Sequence, residues 1–103
     1  MECGKVKLPE NPIDLGSRKT LFNDIDVNGH VNNTRYIAFA EDCLPSKFET
    51  QYISDIRINF VNEAKLGDTM HFIGGYVEEE RRVAVIGKND EGITSFECEF
   101  YLR

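Results

Sequence analysis

A chain of 103 residues with 12 Lys+Arg against 18 Asp+Glu, a formal net charge of −6 and a pI near 4.8 has the length of one domain, enough for one sheet with one covering layer. Hydrophobic residues make up 41% and charged residues 29%, which excludes disordered and fibrous classes. The acidic balance disfavours a non-specific nucleic-acid binder, since a polyanion needs a basic surface.

In chain order, residues 1–17 contain Pro9, Pro12 and two glycines with little periodicity, and read as a linker or N-terminal arm. This stretch has the look of a connection left when a preceding domain has been cut away. Residues 18–22, Arg-Lys-Thr-Leu-Phe, are a short strand candidate, and the domain is expected to span 18–103. From Asn32 to Leu44 the pattern is helical. Asn32 or Asn33 can accept an orphan N–H as N-cap. Tyr36, Ile37, Ala40 and Leu44 recur at helical spacing, Phe39 and Cys43 widen the stripe, and Pro45 stops the ladder.

Period two follows. Ile56, Ile58 and Phe60, then Val83 and Val85, then Phe96, Cys98, Phe100 and Leu102 alternate with mostly polar residues, as in half-buried antiparallel strands. Turn signals fall at Leu66-Gly67-Asp68, Glu79-Glu80-Arg81 and Asn89-Asp90-Glu91-Gly92. Strand, loop, helix and four further strands predict an α+β fold, one long helix packed on an antiparallel sheet.

The stretch richest in chemistry is Asp24-Ile-Asp26-Val-Asn28-Gly-His30-Val-Asn32-Asn33. Asp26, Asn28 and His30 lie at i, i+2 and i+4, so an extended backbone puts carboxylate, carboxamide and imidazole on one side. Asn28-Gly29 is also a type I′ hairpin signal, which would make His30 an ordinary strand residue. Against that, Asn32 and Asn33 continue a strand poorly and open a helix well. A chain turning at Gly29 into the helix would set His30 beside N-terminal N–H groups suited to an oxyanion.

The run Asp-Ile-Asp-Val-Asn-Gly-His-Val-Asn-Asn-Thr-Arg-Tyr resembles the motif D-x-D-x-N-x-H-V-N-N-x-x-Y of the acyl-acyl carrier protein (acyl-ACP) thioesterases. The resemblance implies a hotdog fold, a long helix wrapped by an antiparallel sheet of about five strands, and the second half of a tandem of two such units. It implies hydrolysis of fatty acyl-ACP thioesters to free fatty acid and ACP, with Asp26, Asn28 and His30 catalytic and Glu63 as a fourth member. Where the plant enzymes carry a cysteine after that glutamate, this chain has Ala64, so a thiol is not expected to be required.

Thioester hydrolysis needs an activated water or carboxylate nucleophile and an oxyanion stabiliser. Asp26 or Glu63 is expected as base or nucleophile, His30 and Asn28 as hydrogen-bonding partners of water or thioester, and amides of Val31, Asn32 and Asn33 as oxyanion donors. Tyr36 is a further substrate-binding candidate, with packing on the helix face as its simpler role.

Elsewhere the residues read more simply. His71 is a strand residue, and Gly74-Gly75 marks a bulge or a close backbone approach, with an acyl chain as one candidate for what approaches. The stretch Glu78 to Arg82 reads as a solvated hairpin end. Apolar runs of about five residues, such as 36–40, fall far short of the roughly 20 that cross a bilayer. The opening ten residues lack the apolar core of a secretory signal, so the cytoplasm is expected. Cys3, Cys43 and Cys98 are odd in number and widely spaced, which fits reduced thiols, and with His30 and His71 they show no metal spacing. No cofactor or metal is expected.

The implied partners are ACP carrying a fatty acyl thioester, and either a second copy of the chain or a missing N-terminal hotdog half. Two other readings stand beside the enzyme: an acyl-CoA thioesterase of the single-hotdog type, and a non-catalytic acyl-binding or dimerisation module. Because ACP is itself acidic, docking calls for a local basic patch, for which Lys5, Lys7, Arg18, Lys19 and Arg35 are candidates.

Overall fold

A computed structural model of the chain describes residues 6–21, 24, 25, 31, 33–43 and 53–102, with backbone alone at 33 and 34. The elements are β1 (Ile13–Lys19), α1 (Asn33–Asp42), β2 (Ile53–Phe60), β3 (Thr69–Val77), β4 (Arg82–Lys88) and β5 (Thr94–Leu102), with a 3₁₀ turn over Glu78–Glu80. All strand pairs are antiparallel, in the order β1-β3-β4-β5-β2. The expected α+β layout and the three turns are present, and β1 and β2 form the edges.

One face of the sheet receives the helix. Tyr36, Phe39 and Ala40 are buried, and Cys43 packs against the same core. The aromatic rings carry the contact: Tyr36 lies 5.4 Å from Phe96 of β5 and 5.7 Å from Phe60 of β2, and Phe39 lies 6.3 Å from Phe72 of β3. The helix has no acidic residue in its first turn and no basic residue in its last. Its macrodipole is therefore uncompensated by its own side chains, and burial of the aromatic stripe holds it. Asn33 opens the helix, and both Asn32 and Leu44 lie outside the described residues.

The first strand begins five residues before the expected position. Pro12 precedes it, and the register slips between Asp14 and Gly16, where Gly16 takes φ 108°. A bulge in an exposed edge strand erases the period-two signal, so β1 takes in the end of the stretch read as arm.

The half-buried expectation fails for β4 and β5, which are buried on both faces, including Ser95, Glu97 and Glu99. Val6 and Lys7 of the arm contact this outer face. The Val6 N–H donates to Glu97 Oε1 at 3.4 Å, and Arg82 Nη1 donates to the Lys7 carbonyl at 2.6 Å. Arg82 is accordingly not part of a solvated hairpin end. It is 2% exposed and pairs with Glu99 and Glu80, each at 2.9 Å, whereas Glu78 to Arg81 are exposed. Gly74 marks a close approach of protein backbone: a Cβ there would stand 1.8 Å from the Ala84 carbonyl oxygen, and one on Gly75 would meet the Pro9 ring at 3.2 Å. The β3–β4 register is continuous through both glycines, so there is no bulge.

Candidate active site

Asp26, Asn28, His30 and Asn32 lie outside the described residues. The residues that flank them are described, and they form a frame. Ile25 and Val31 pair as an isolated antiparallel bridge. The Val31 N–H donates to the Ala64 carbonyl at 2.9 Å, and the Ala64 N–H donates to Tyr36 Oη at 2.8 Å. The main chain of Ala64, the residue after Glu63, thus joins Val31, the residue after His30, to helix α1.

This arrangement corrects the expected oxyanion donors. The Val31 N–H is already engaged by a carbonyl, and its side chain is buried in the core. Of the three residues expected to supply amide donors, Asn32 and Asn33 remain. Tyr36 is 2% exposed, with its hydroxyl accepting from Ala64. Burial, together with the charges of Glu63 and Asp68, pushes its phenol above the ordinary value despite that hydrogen bond. It stays protonated and neutral, which suits a residue that holds main chain.

Glu63 is exposed, on the loop between β2 and β3. It shares with Tyr36, Phe60, Val61 and Asn62 a cavity of about 270 Å³. The loop is pinned at both ends. The Val61 N–H donates to the Ser95 carbonyl at 2.9 Å, Asn62 Nδ2 to the Thr94 carbonyl at 2.9 Å, and Thr20 Oγ1 to the Lys65 carbonyl at 2.6 Å. A carboxylate on such a support can take a proton from water with little reorganisation.

Asp24 was not singled out by the sequence reading. It is 1% exposed, accepts the Leu21 N–H at 2.8 Å, and pairs with Arg35 Nε at 2.9 Å and Arg18 Nη2 at 3.5 Å. Burial alone would raise its carboxyl. The Leu21 and Arg35 hydrogen bonds and the two guanidinium charges outweigh that, and the net pKa lies below the usual carboxylate value. Arg18 and Arg35 are therefore counter-ions of a buried acid, and Arg18 also approaches Asp42 at 3.9 Å. This removes two of the five cations expected in a docking patch. Lys7 and Lys19 are exposed, and Lys5 lies outside the described residues.

Cys43 and Cys98 are free thiols, pushed up by burial to about 11 and about 12 respectively; neither is a ready nucleophile. His71 is an exposed strand residue whose ring meets Asp90. Among the described residues no group of three or more His, Cys, Asp and Glu could hold a metal ion, and no helix is long and apolar enough to cross a membrane.

Similarity to known proteins agrees with this geometry. A 60-residue stretch is 42% identical to the dodecanoyl-[acyl-carrier-protein] hydrolase of Umbellularia californica, covering 55% of this chain and 16% of that protein. The fold superposes on an acyl-ACP thioesterase of Bacteroides thetaiotaomicron with a TM-score of 0.86 and 25% identity, covering all of this chain and 42% of the other. A hypothetical thioesterase of Streptococcus pneumoniae, solved with coenzyme A, superposes with a TM-score of 0.74 at 16% identity, over 91% of this chain and 87% of that one. The chain thus spans less than half of the acyl-ACP thioesterases it matches and nearly the whole of a smaller thioesterase. The fold is the hotdog fold of these enzymes. Residues 15–100 match the acyl-ACP thioesterase C-terminal domain, and the chain belongs to that family.

Proposed function

We propose that this unit carries the catalytic residues for hydrolysis of fatty acyl thioesters on ACP, releasing free fatty acid and the carrier thiol. The observation that carries the reading is the Val31–Ala64 hydrogen bond. It ties the residue that follows His30 in sequence to the residue that follows Glu63. A bond between these two flanking residues supports a site shared by the two segments assigned the catalytic set, beside a cavity that Glu63 lines.

In the reaction, Asp26 or Glu63 takes a proton from water as the water oxygen bonds to the acyl carbon, the C–S bond breaks, and that proton passes to the departing sulfur. In the nucleophilic variant the carboxylate attacks the acyl carbon, the thiolate leaves, and water then cleaves the anhydride, giving its proton to the thiolate. His30 and Asn28 hydrogen-bond the water or the thioester. The oxyanion is met by amides at Asn32 and Asn33, where the helix N-terminus adds partial positive charge. No thiol takes part, in keeping with Ala64 after Glu63 and the protonated Cys43 and Cys98.

The test is thiol release from acyl-ACP by wild type, Asp26→Ala, His30→Ala and Glu63→Gln. Each variant should lose about 100-fold or more in kcat; equal rates in all four would sink the assignment and leave an acyl-binding module. A second reading, hydrolysis of acyl-CoA by a single unit, is favoured by the near-complete overlap with the smaller Streptococcus protein. A higher kcat/KM for acyl-CoA than for acyl-ACP would select it.

Both readings call for a second hotdog unit, another copy of this chain or an N-terminal half. Edge strands β1 and β2 expose Ile13, Ile56 and Phe60, apolar surface at open edges that favours association. A solution mass of one chain at micromolar concentration would count against the homodimer.

A further inference from the structure

We infer that Asp24 is a positioning residue for thioester hydrolysis: its buried carboxylate clamps the entry to the Asp26–His30 segment against β1 and α1 at once. The inference rests on the reading that this segment is catalytic.

Four observations meet at Asp24. The entry turn is closed twice over, by the Leu21 N–H to Asp24 Oδ2 at 2.8 Å and by the Asp24 N–H to the Leu21 carbonyl at 2.9 Å. The other carboxylate oxygen, Oδ1, meets Arg35 Nε of the first helical turn at 2.9 Å and Arg18 Nη2 of β1 at 3.5 Å. Ile25, the next residue, bridges Val31, so the clamp is one residue from the near end of the frame. Both guanidinium groups also face the Phe39 ring, Arg18 at 4.8 Å and Arg35 at 5.8 Å from its centre.

Two cations therefore share one aromatic ring and one buried anion. If the anion is removed, they repel each other, and the turn, strand and helix lose their common partner. Arg18 Nε is already buried without a hydrogen-bond partner among the described residues, and the other carboxylate near Arg18, Asp42, is exposed and more distant at 3.9 Å. A displacement near 1 Å between segments that bear reacting groups costs up to about 100-fold in rate. The clamp therefore acts on kcat through geometry, without touching substrate.

Asp24→Asn keeps the shape and an acceptor for the Leu21 N–H but removes the charge. Its kcat on a saturating acyl thioester, per folded enzyme, should fall about 10- to 100-fold with KM within about twofold of wild type. Arg35→Gln should reproduce this loss and Arg35→Lys should restore most of it. Arg57→Gln breaks a comparable pair, a half-buried arginine on a buried glutamate at 3.5 Å, away from the site. It should lower the melting temperature and leave kcat unchanged. If Asp24→Asn does not fold, Arg35→Gln against Arg35→Lys reads the same clamp. Wild-type kcat in folded Asp24→Asn, or in Arg35→Gln, overturns the positioning role alone. A wild type without turnover, both alone and joined to an N-terminal hotdog half, overturns the catalytic reading, and this inference with it.

Discussion

Ala64 has no chemistry of its own, yet its main chain connects helix α1 to the end of the candidate catalytic segment. Tyr36→Phe deletes one oxygen from this chain of bonds and leaves a buried N–H without its acceptor. The expected cost is about 1–3 kcal/mol, visible as a lower urea midpoint with an unchanged slope. Asp24 makes a second residue-scale prediction. Its folded pKa lies below the ordinary 3.8, so its ionised form adds stability that is complete above the unfolded value and lost as pH falls through the folded one. The stability gap between wild type and Asp24→Asn should be constant from about pH 7 to about pH 5 and close below about pH 4; urea midpoints across that range check the sign. Sequence reading reached these residues unevenly. The i, i+2, i+4 spacing singled out Asp26, Asn28 and His30, and the family resemblance added Glu63. Asp24 answers to arginines six residues before and eleven after it, and the Val31 amide to a carbonyl 33 residues on. Such pairings follow no local period, so pattern alone could not find them.

Strands β2 to β5 were legible because side-chain alternation and turn residues agree, and β3–β4 and β4–β5 pair across the turns expected there. The outer face was not. Glu97 and Glu99 alternate with apolar residues as solvent-facing positions do, yet both are buried, Glu97 against the Val6 N–H and Glu99 against Arg82. The arm and the sheet are joined through Arg82, which holds Glu99, Glu80 and the Lys7 carbonyl together. Arg82→Met leaves Glu99 buried, with Arg57 at 3.5 Å beside it. It should destabilise the protein by about 3 kcal/mol. Arg82→Met combined with Glu99→Met should recover much of that loss, because removing both charges together abolishes the uncompensated one. Equal destabilisation by the single and double variants would show that the arm contact, and not the buried charge, dominates.

At the scale of the whole molecule, the net charge of −6 acquires a distribution. Arg18, Arg35, Arg57 and Arg82 are bound to carboxylates within the fold, which leaves the exposed surface fewer cations than the composition suggests. An acidic carrier protein then meets a field of its own sign, and association is slowed at distances beyond direct contact. Salt shortens the reach of that field, from about 30 Å at 0.01 M to about 8 Å at 0.15 M. For this unit, KM for acyl-ACP should therefore fall as salt rises over that range, while KM for a small uncharged acyl thioester stays level. A KM for acyl-ACP that climbs with salt would instead require an attractive basic surface, and with Arg18 and Arg35 occupied by Asp24 that surface would have to come from exposed lysines such as Lys7 and Lys19 or from a second hotdog unit. Charge reversal at Lys7 and Lys19 together, measured against the same two substrates, separates those sources: a selective loss with acyl-ACP assigns the surface to this chain, and KM values equal to wild type assign it to the partner unit.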